Sequence, residues 1–380
     1  MAFPLLTYSV ARSRVVWVFR RCLARALGRR VSCDVSATFV SVAGARRPSL
    51  GEVSSLTPPL FSLTSSAADF DRINIALRAS VTTNDDYMTQ LASHLIAAGG
   101  KRLRPMISVV ASQTGDHRAA TDEAVLGGVS CELVQVGSLY HDDVMDDAST
   151  RRGVETVNAK WGNLQAIVAG DFLLSRASEI AASLGTEVAG LLARTIGRLC
   201  FGQIAEVRTT YSVNRTEEQY YTSISEKTAA LFSAAARIGG IVVDTDRTQI
   251  DALTAWGEAY GMVFQLVDDI LDLTATDVEL GKPAGHDLLE GVYTLPVIRT
   301  IAAGGPAAEE LTELLSGPLD TVACDKALAI VRSNGAIAAT VDVATTYVAA
   351  AQAACDQLVP SPATEALRQA PAFLLATAIR

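Results

Sequence analysis

Two short aspartate clusters carry the clearest chemical signal in this sequence of 380 residues. The first reads Asp142-Asp143-Val144-Met145-Asp146 and the second reads Asp268-Asp269-Ile270-Leu271-Asp272. On a helix, residues i and i+4 share a face, so each cluster brings its first and last carboxylates together. Such carboxylates repel one another, and Mg²⁺ relieves that repulsion because it takes oxygen ligands. The pattern therefore predicts a site where Mg²⁺ bridges carboxylates and substrate phosphates, and it lacks the glycine and terminal glutamate of an EF-hand.

Basic residues accompany both clusters and suit a phosphorylated ligand. A Gly-Gly turn precedes Lys101 and Arg104, Arg151 and Arg152 follow the first cluster, and Lys282 follows the second. Arginine binds phosphate through its forked geometry, and lysine binds it as a point charge. Together with metal-binding carboxylates, these residues predict a diphosphate substrate.

The elements that would hold these residues are helices. From about residue 66 onward, apolar residues recur at three- and four-residue spacings, and β-branched runs bounded by turns are scarce. Three blocks are apolar on most faces, as expected for helices inside a bundle: 122–145, 187–206 and 249–272. The pattern predicts an all-α fold in which each aspartate cluster ends a buried helix.

Charge and composition divide the chain into two parts. Residues 1–50 contain nine arginines and one acidic residue, so the rest of the chain carries most of the acidic charge behind the formal net charge of −9. We interpret 1–65 as a basic leader, either a transit peptide, a disordered tail or a start placed too early, and 66–380 as one catalytic domain. The acidic body argues against nucleic-acid binding. No apolar run approaches the ~18 residues of a membrane-spanning helix.

The six cysteines are scattered without paired spacing, which argues against a zinc site or a disulfide framework. A reducing compartment is the simplest interpretation. The sequence thus predicts a cytoplasmic protein, and the leader leaves a peripheral association with a membrane open.

Several motifs, in this order, resemble the trans-type polyprenyl diphosphate synthases, the isoprenyl diphosphate synthase family. They are GGKRLRP at 99–105, HDDVMDD at 141–147, RRG at 151–153, GDFLL at 170–174, EKTAALF at 226–232, FQLVDDILD at 264–272 and GKPAGHDLLEGVYTLP at 281–296. The resemblance covers roughly 66–380. One departure is Val292, in a segment where many members of the family have a lysine, so we assign no phosphate-binding role there.

The resemblance implies a helical bundle around a deep central cavity, usually in a homodimer. It also implies Mg²⁺-dependent, head-to-tail condensation of isopentenyl diphosphate with an allylic diphosphate. The implied metal ligands are Asp142, Asp143, Asp146, Asp268, Asp269 and Asp272. The implied isopentenyl diphosphate contacts are Lys101, Arg104, Arg152 and Gln135. The implied allylic diphosphate contacts are Arg151, Lys227, Thr228, Gln265 and Lys282, with Lys227 also counted among the catalytic residues.

Product length depends on what closes the apolar cavity beside the first cluster. In the family, bulky aromatic residues four or five positions before the first aspartate form a floor, and here those positions are Ser138 and Gly137. Val134 lies one helical turn further from the cluster. We therefore expect a medium-to-long all-trans polyprenyl diphosphate, unless another helix supplies the floor. Tyr140 should point away from Asp142, roughly 200° around the helix.

Four alternatives remain open at this point. A short-chain synthase would make farnesyl or geranylgeranyl diphosphate. A terpene cyclase normally has Asn, Ser or Thr with Glu in its second metal motif, and it needs no isopentenyl site. A non-catalytic subunit of a heteromeric synthase typically loses an aspartate cluster. A plain metal-binding protein would not need the ordered basic motifs.

Overall fold

A computed structural model of the chain describes residues 57–115, 119–275 and 284–379. After a 3₁₀ turn at Pro59–Phe61, the helices are α1 Ser66–Val81, α2 Asp86–Ala97, α3 Leu103–Ser112, α4 Asp122–Met145, α5 Val157–Trp161, α6 Asn163–Ser183, α7 Thr186–Val207, α8 Glu217–Ile224, α9 Ala230–Ile241, α10 Arg247–Thr274, α11 His286–Leu289, α12 Leu295–Ala302, α13 Pro306–Leu314, α14 Thr321–Ser333, α15 Ala336–Cys355 and α16 Pro362–Ala376. Within the described residues the only strands are β1 Thr150–Arg151 and β2 Val154–Glu155. The predicted all-α class is confirmed.

Local capping signals set the starts of the helices that matter most. Thr121 accepts a hydrogen bond from the Ala124 amide at the start of α4, and Asp246 does the same for Thr248 at the start of α10. Thr216 and Gln219 form a reciprocal capping box at α8. Because these side chains satisfy backbone amides that have no partner inside the helix, each start is fixed by sequence.

The buried core centres on α4 and α10. Helix α4 packs against α6 on one side and against α3 and α9 on others, which is why it is apolar almost all round. Helix α10 lies between α9 and α15. A smaller apolar cluster joins the end of α10 to α11, α12, α13 and α14. The two aspartate-bearing helices are therefore held by the most extensively packed part of the fold.

A two-residue hairpin follows the first cluster, and the sequence did not predict it. Thr150 pairs with Glu155 and Arg151 with Val154, with Arg152 and Gly153 in the turn. Both turn residues have positive φ, 54° and 76°, which matches the right-handed twist of a tight hairpin. The hairpin directs Arg151 back toward α4.

A π-helical turn, Ser225–Ala229, joins α8 to α9 and carries Lys227 and Thr228. Such turns occur as single wide turns inside α-helices, often at functional sites. Arg198 of α7 binds both Glu226 in this turn, at 3.0 Å, and Glu258 of α10, also at 3.0 Å. The turn is thereby fixed between α7 and α10.

Residues just before the expected domain boundary at residue 65 pack on the described core. Leu60 is only 2% exposed and belongs to the main core, and the 3₁₀ turn packs against α16 and α3. Residues 1–56, the larger part of the predicted leader, lie outside the described residues.

Among the described helices, none alone has both the length and the hydropathy to cross a bilayer. The helices α14 and α15 meet both criteria only when taken together, and they are bent by 64° where they join.

Candidate active site

A cavity of about 510 Å³ opens between α4, α7 and α10 and receives residues from both aspartate clusters. Asp142 and Asp268 line it together with the predicted substrate contacts Arg104, Gln135, Lys227, Thr228 and Gln265. Below this polar mouth, the walls are apolar and include Val134, Leu139, Leu174, Ile196 and Leu199. The arrangement suits a ligand with a charged head and a hydrocarbon tail.

The six aspartates divide into two kinds. Asp142 is half-buried at the cavity, and Asp146 and Asp268 are exposed beside it. The other three are almost inaccessible: Asp143 is 1% exposed, Asp269 2% and Asp272 3%. Each of the three buried carboxylates accepts a hydrogen bond from a protein group, and the metal-ligand role of all six aspartates stays a prediction.

The buried aspartate of the first cluster ties the hairpin to α4. Its Oδ1 accepts a hydrogen bond from the Arg151 Nε, and its backbone carbonyl accepts one from Asn158. Oδ2 of Asp143 is buried without a hydrogen-bond partner among the described residues. Arg151, predicted to contact the allylic diphosphate, is therefore engaged with Asp143.

Electrostatics favour a cation at this cluster. Burial raises the pKa of Asp142 and of Asp143, although neighbouring cations oppose the shift. Burial together with the charges of Glu290 and Asp142 raises the pKa of Asp146 to about 6. These carboxyls are held where like charges and lost hydration disfavour ionisation, and a bound divalent cation would reverse both effects.

In the second cluster the middle carboxylate is fixed by neutral donors. Tyr220 donates to Oδ2 of Asp269 at 2.5 Å, and Gln265 Nε2 donates to Oδ1 at 2.9 Å. Burial raises the pKa of Asp269 despite these hydrogen bonds. Asp272 accepts a hydrogen bond from the Asp287 amide at 3.2 Å and so anchors α11. Asp268 remains the member of this cluster that lines the cavity.

The π-helical turn presents two adjacent residues to the cavity. Thr228 Oγ1 donates to the side-chain oxygen Oε1 of Gln265 at 2.7 Å, and Lys227 Nζ lies 2.6 Å from a carboxylate oxygen of Glu206. Gly202 of α7 allows this approach, because a Cβ there would lie 2.4 Å from the Lys227 backbone nitrogen.

Sequence analysis missed two residues on α7. Glu206 pairs with Lys227, and Gln203 lines the cavity with a buried side-chain oxygen, Oε1, that lacks a hydrogen-bond partner among the described residues. The signal that could have found them is Gly202-Gln203 followed within one helical turn by Glu206 in the last, mainly apolar part of α7.

The four predicted isopentenyl diphosphate contacts are not all in one place. Arg104 and Gln135 line the cavity, and Arg104 stacks on Phe232 with its guanidinium carbon 4.2 Å from the ring centroid. Arg152 donates to the Leu95 carbonyl at 2.9 Å and also to the Gly99 carbonyl. Lys101 is exposed and lines a second, apolar cavity of about 1170 Å³ near α16.

Arg104 has the features of an anion-binding group. Its Nε is buried without a hydrogen-bond partner among the described residues, and burial lowers its pKa to about 10. A buried cation with an unsatisfied donor is costly unless an anion joins it.

Two of the three residues predicted to form the chain-length wall line the cavity, and their effect on product length stays a prediction. Ser138 and Val134 line the cavity, and no bulky aromatic residue of α4 is among the lining. Gly137 instead faces α6, since a Cβ there would lie 3.1 Å from the Gly170 carbonyl and 3.4 Å from Leu173. Gly137 lies about 140° around α4 from Asp142, whereas Ser138 lies about 40° away, and Gly137 is not among the residues that line the cavity. Tyr140 points away from the cavity as predicted and donates to the Leu91 carbonyl at 2.7 Å.

The donor set fits a divalent cation that is completed by substrate. Within residues 57–115, 119–275 and 284–379, no three carboxylate, His or Cys side chains converge into a ready-made metal site. Mg²⁺ is commonly bound by one or two carboxylates, several waters and substrate phosphates. The facing, partly accessible carboxylates provide such a partial set. Lys282, the remaining predicted contact, lies outside the described residues.

The family model for polyprenyl synthetase matches residues 85–331. The chain is 39% identical over 282 residues to a nonaprenyl diphosphate synthase of Mycobacterium tuberculosis, covering 74% of this chain and 84% of the relative. It is 36% identical to heptaprenyl diphosphate synthase component 2 of Geobacillus stearothermophilus, covering 69% and 85%. A polyprenyl synthase from Caulobacter crescentus, solved with calcium and isoprenyl diphosphate, superposes with a TM-score of 0.78 at 32% identity over 84% of this chain and 97% of that one.

The chain belongs to the polyprenyl synthetase family. It is a prenyltransferase of the trans-polyprenyl diphosphate synthase class and acts on isoprenoid diphosphates.

Proposed function

We propose that this enzyme condenses isopentenyl diphosphate head to tail with an allylic diphosphate and makes a medium-to-long all-trans polyprenyl diphosphate. The observation that supports this most directly is the cavity shared by Asp142 and Asp268, with cationic and amide groups at its mouth and an apolar interior. The calcium and isoprenyl diphosphate named for the Caulobacter relative agree with the proposed ligands.

Asp142, Asp146 and Asp268 would hold Mg²⁺ together with the allylic diphosphate. Mg²⁺ held by these carboxylates would supply stabilisation of the charge on the leaving diphosphate. Asp143 and Asp269 accept hydrogen bonds from Arg151 and Tyr220, and these contacts fix the helix ends that carry the proposed metal ligands Asp142, Asp146 and Asp268. This division of roles follows from burial, because Asp143 and Asp269 are almost inaccessible and leave no space for a hydrated cation beside them.

The protein's own groups bind and orient the two substrates. Lys227, Thr228 and Gln265 face the allylic diphosphate, and Arg104 and Gln135 face isopentenyl diphosphate from the opposite wall. Lys101 and Arg152 are placed in that second set by the motif resemblance, and they would have to turn toward the cavity when the substrate binds.

The reaction proceeds in three steps. The allylic C–O bond breaks, its electron pair leaves with the diphosphate, and an allylic cation remains. The double bond of isopentenyl diphosphate supplies the electron pair of the new C–C bond. The resulting cation then loses a proton, which the released diphosphate accepts. No side-chain nucleophile takes part, because positioned charge supplies the stabilisation.

Product length is proposed from the wall of the cavity. On α4, the side chains closest to the first cluster along the cavity are Ser138 and Val134, and neither is aromatic. The nonaprenyl and heptaprenyl relatives agree with an elongated product. A farnesyl or geranylgeranyl product is the alternative.

The decisive experiment incubates the purified chain with radiolabelled isopentenyl diphosphate, one of three allylic primers and Mg²⁺, and sizes the products by chromatography. We expect Mg²⁺-dependent products longer than geranylgeranyl diphosphate. Products no longer than that would establish the short-chain alternative. Cyclic hydrocarbons without incorporation of isopentenyl diphosphate would establish a terpene cyclase, and inactivity alone would point to a subunit that needs a partner.

We further propose a homodimer. Apolar residues of α6 and α7 are exposed on neighbouring helices, namely Leu164, Ile167, Val168, Phe201, Ile204 and Val207. The same apolar face on a second copy of the chain could cover these residues, because a two-fold dimer buries identical surfaces against each other. The name of the Geobacillus relative, component 2, makes a heteromer the competing assembly.

For location we propose the cytoplasm, with a peripheral membrane association suited to a long apolar product. Four cysteines in the described residues are free, including the buried Cys131, which fits a reducing compartment. Fractionation of cells that express a tagged chain would test this, since recovery from a secreted fraction would contradict it.

A further inference from the structure

The π-helical turn lies between α7 and α10, and one face of α7 contacts it at three levels. Arg198, Gly202 and Glu206 are spaced four residues apart and therefore share this face. Arg198 binds Glu226 of the turn at 3.0 Å, and Glu206 binds Lys227 at 2.6 Å. Between them, Gly202 leaves room for the backbone of the turn.

Helix α10 contacts the opposite side of the turn in a similar way. Glu258, Gly261 and Gln265 lie close together on one face, at positions i, i+3 and i+7. Ser225 donates to Glu258 at 2.7 Å, and Thr228 donates to Gln265 at 2.7 Å. A Cβ at Gly261 would lie 2.5 Å from the backbone of the turn. Thr228 and Gln265 line the cavity, whereas Ser225 and Glu258 do not, so the turn has an inner and an outer level of contacts.

Arg198 connects both helices to the turn at the outer level. Its Nε and Nη2 donate to the two carboxylate oxygens of Glu226, at 3.0 and 3.1 Å. Its Nη2 and Nη1 donate to the two carboxylate oxygens of Glu258, at 3.0 and 3.3 Å. The planar guanidinium thus binds two carboxylates through two oxygens each, a geometry that the single ammonium group of lysine cannot reproduce. Networks with this geometry are the ion pairs that contribute most near a protein surface.

The contacts of Arg198 affect the site because Glu226 directly precedes Lys227 in the turn. A π-helical turn is rare compared with a continuous α-helix, so neighbouring contacts must stabilise it. Without the guanidinium, Glu226 and Glu258 would be two like charges with no shared cation between them, and they would repel each other. The outer level of the turn would then be released, and Lys227 and Thr228 would lose their fixed direction toward the cavity.

We propose that Arg198 is a positioning residue, which holds the π-helical turn so that Lys227 and Thr228 face the allylic diphosphate. Arg198 acts through these neighbours, since it lies outside the lining of the cavity. The inference rests on the proposed function, because it assumes that Lys227 and Thr228 bind the allylic diphosphate. It assigns a role to a residue outside every motif identified in the sequence.

The test separates the two substrates. Initial rates are measured with isopentenyl diphosphate at saturation while the allylic primer varies, and then with the two substrates exchanged. The variants are Arg198→Met, Arg198→Lys, Lys227→Met, and Arg198→Met combined with Lys227→Met, and circular dichroism checks the folding of each. The matched control is Arg237→Met. Arg237 of α9 also binds α10, through Asp251 at 2.7 Å, and lies 4.0 Å from Glu187 of α7, but both partners lie near the starts of their helices and away from the turn.

We expect Arg198→Met to lower kcat/KM for the allylic primer by roughly tenfold to a hundredfold, the scale of a displaced positioning group, and to leave the KM for isopentenyl diphosphate unchanged. Arg198→Lys should lose less, because it keeps one positive charge between the two carboxylates. Arg237→Met should match the parent. The double variant should lose little more than Lys227→Met alone, because both substitutions then remove the same contact with the primer.

Parental kinetics in Arg198→Met would overturn the proposal. So would an equal rise in KM for both substrates, or losses that multiply in the double variant, because Arg198 would then act on the whole fold rather than through Lys227. If Arg198→Met does not fold, Arg198→Lys takes its place in the comparison, and parental kinetics there would overturn the proposal. If Lys227→Met keeps the parental kcat/KM for the primer, the allylic assignment in the proposed function fails first, and this inference fails with it.

Discussion

At the scale of single residues, the two Asp-Asp-x-x-Asp motifs have the same spacing but differ in which aspartates are accessible. The first presents Asp142 and Asp146 and withdraws Asp143 toward Arg151. In the second motif Asp268 lines the cavity, whereas Asp269 accepts a hydrogen bond from Tyr220 and Asp272 accepts one from the backbone at the start of α11. The i, i+4 rule describes the first motif well. In the second motif Asp272 is buried although Asp268 is exposed, because α11 packs on the end of α10 and the Asp287 amide donates to Asp272.

Asp142→Asn should lower turnover by at least ~100-fold, on the scale of removing one group that stabilises transition-state charge. The fold should survive, because the amide has the same shape. Asp147→Asn is the matched control: it lies in the same segment, is exposed and does not line the cavity. Steady-state kinetics and far-ultraviolet circular dichroism would measure both. Near-parental turnover of Asp142→Asn would contradict the assignment.

Proton binding should oppose metal binding at this site. Burial raises the pKa of Asp142, and burial with nearby acids raises the pKa of Asp146 to about 6, so the metal-free folded state retains protons that the unfolded chain releases. This contribution to the free energy of unfolding is present below the unfolded pKa and is lost as pH rises through the folded pKa. Mg²⁺ with pyrophosphate binds the ionised carboxylates. The stabilisation of the folded protein by these ligands should therefore grow between about pH 5 and pH 7.5.

Thermal melts with and without Mg²⁺ and pyrophosphate at the two pH values would measure that difference. Asp146→Asn should reduce the pH dependence of the ligand-induced rise in melting temperature. The reduction should be modest, because solvent screens the charge of this exposed carboxyl. A metal-dependent rise in melting temperature that is equal at both pH values would refute the coupling.

At the scale of elements, α7 controls the site through a close backbone approach. Gly202 leaves space for the π-helical turn, whereas Gly197, on the same helix, has open space around it. Gly202→Ala should therefore push Lys227 away, costing ~1–3 kcal/mol of unfolding free energy and lowering activity. Gly197→Ala should be neutral or gain up to ~1 kcal/mol from helix propensity. Urea denaturation and turnover of the two variants would check this. Equal free energies of unfolding would count against a close backbone contact between Gly202 and the π-helical turn.

Cavity depth along α4 should set product length. Ser138→Phe should close the cavity near its mouth and give short products, and Val134→Phe should give products of intermediate length. The two side chains lie about 6 Å apart along the helix axis. Chromatographic sizing would measure both, and product spectra that match the parent in both variants would show that another helix forms the floor. Gly137→Phe is unsuitable because Gly170 and Leu173 occupy its space.

At the scale of the whole molecule, the exposed apolar face of α6 and α7 should be the contact between subunits. Phe201→Glu should convert the dimer to a monomer, because a charge would be buried at the interface. Val322→Glu is a matched control, since Val322 on α14 is 75% exposed and Phe201 is 74% exposed. Light scattering after size exclusion would report the mass, and an unchanged dimer in Phe201→Glu would rule out this face.

The sequence predicted the helical class and the limits of α4, because Thr121 caps it and the apolar pattern runs to Met145. It also identified Asp142, Asp268 and Lys227 as neighbours through their motifs. It could not predict that Gly137 faces α6, because helical spacing gives angles around α4 but not which neighbour fills each side. The hairpin at Arg152-Gly153 is local, but its strands of two residues are too short to show an alternating pattern, and the contacts of Arg152 with the Leu95 and Gly99 carbonyls join segments distant in sequence.

The π-helical turn also sets a phase relation between the helices that it joins. One extra residue in a turn rotates everything that follows by about 100° relative to a continuous α-helix. The apolar face of α9, which meets α3 and α10, is thus out of register with that of α8. Deleting a single residue from Ser225–Ala229 would restore the phase and rotate that face out of the core. The length of this segment is therefore as constrained as its chemistry.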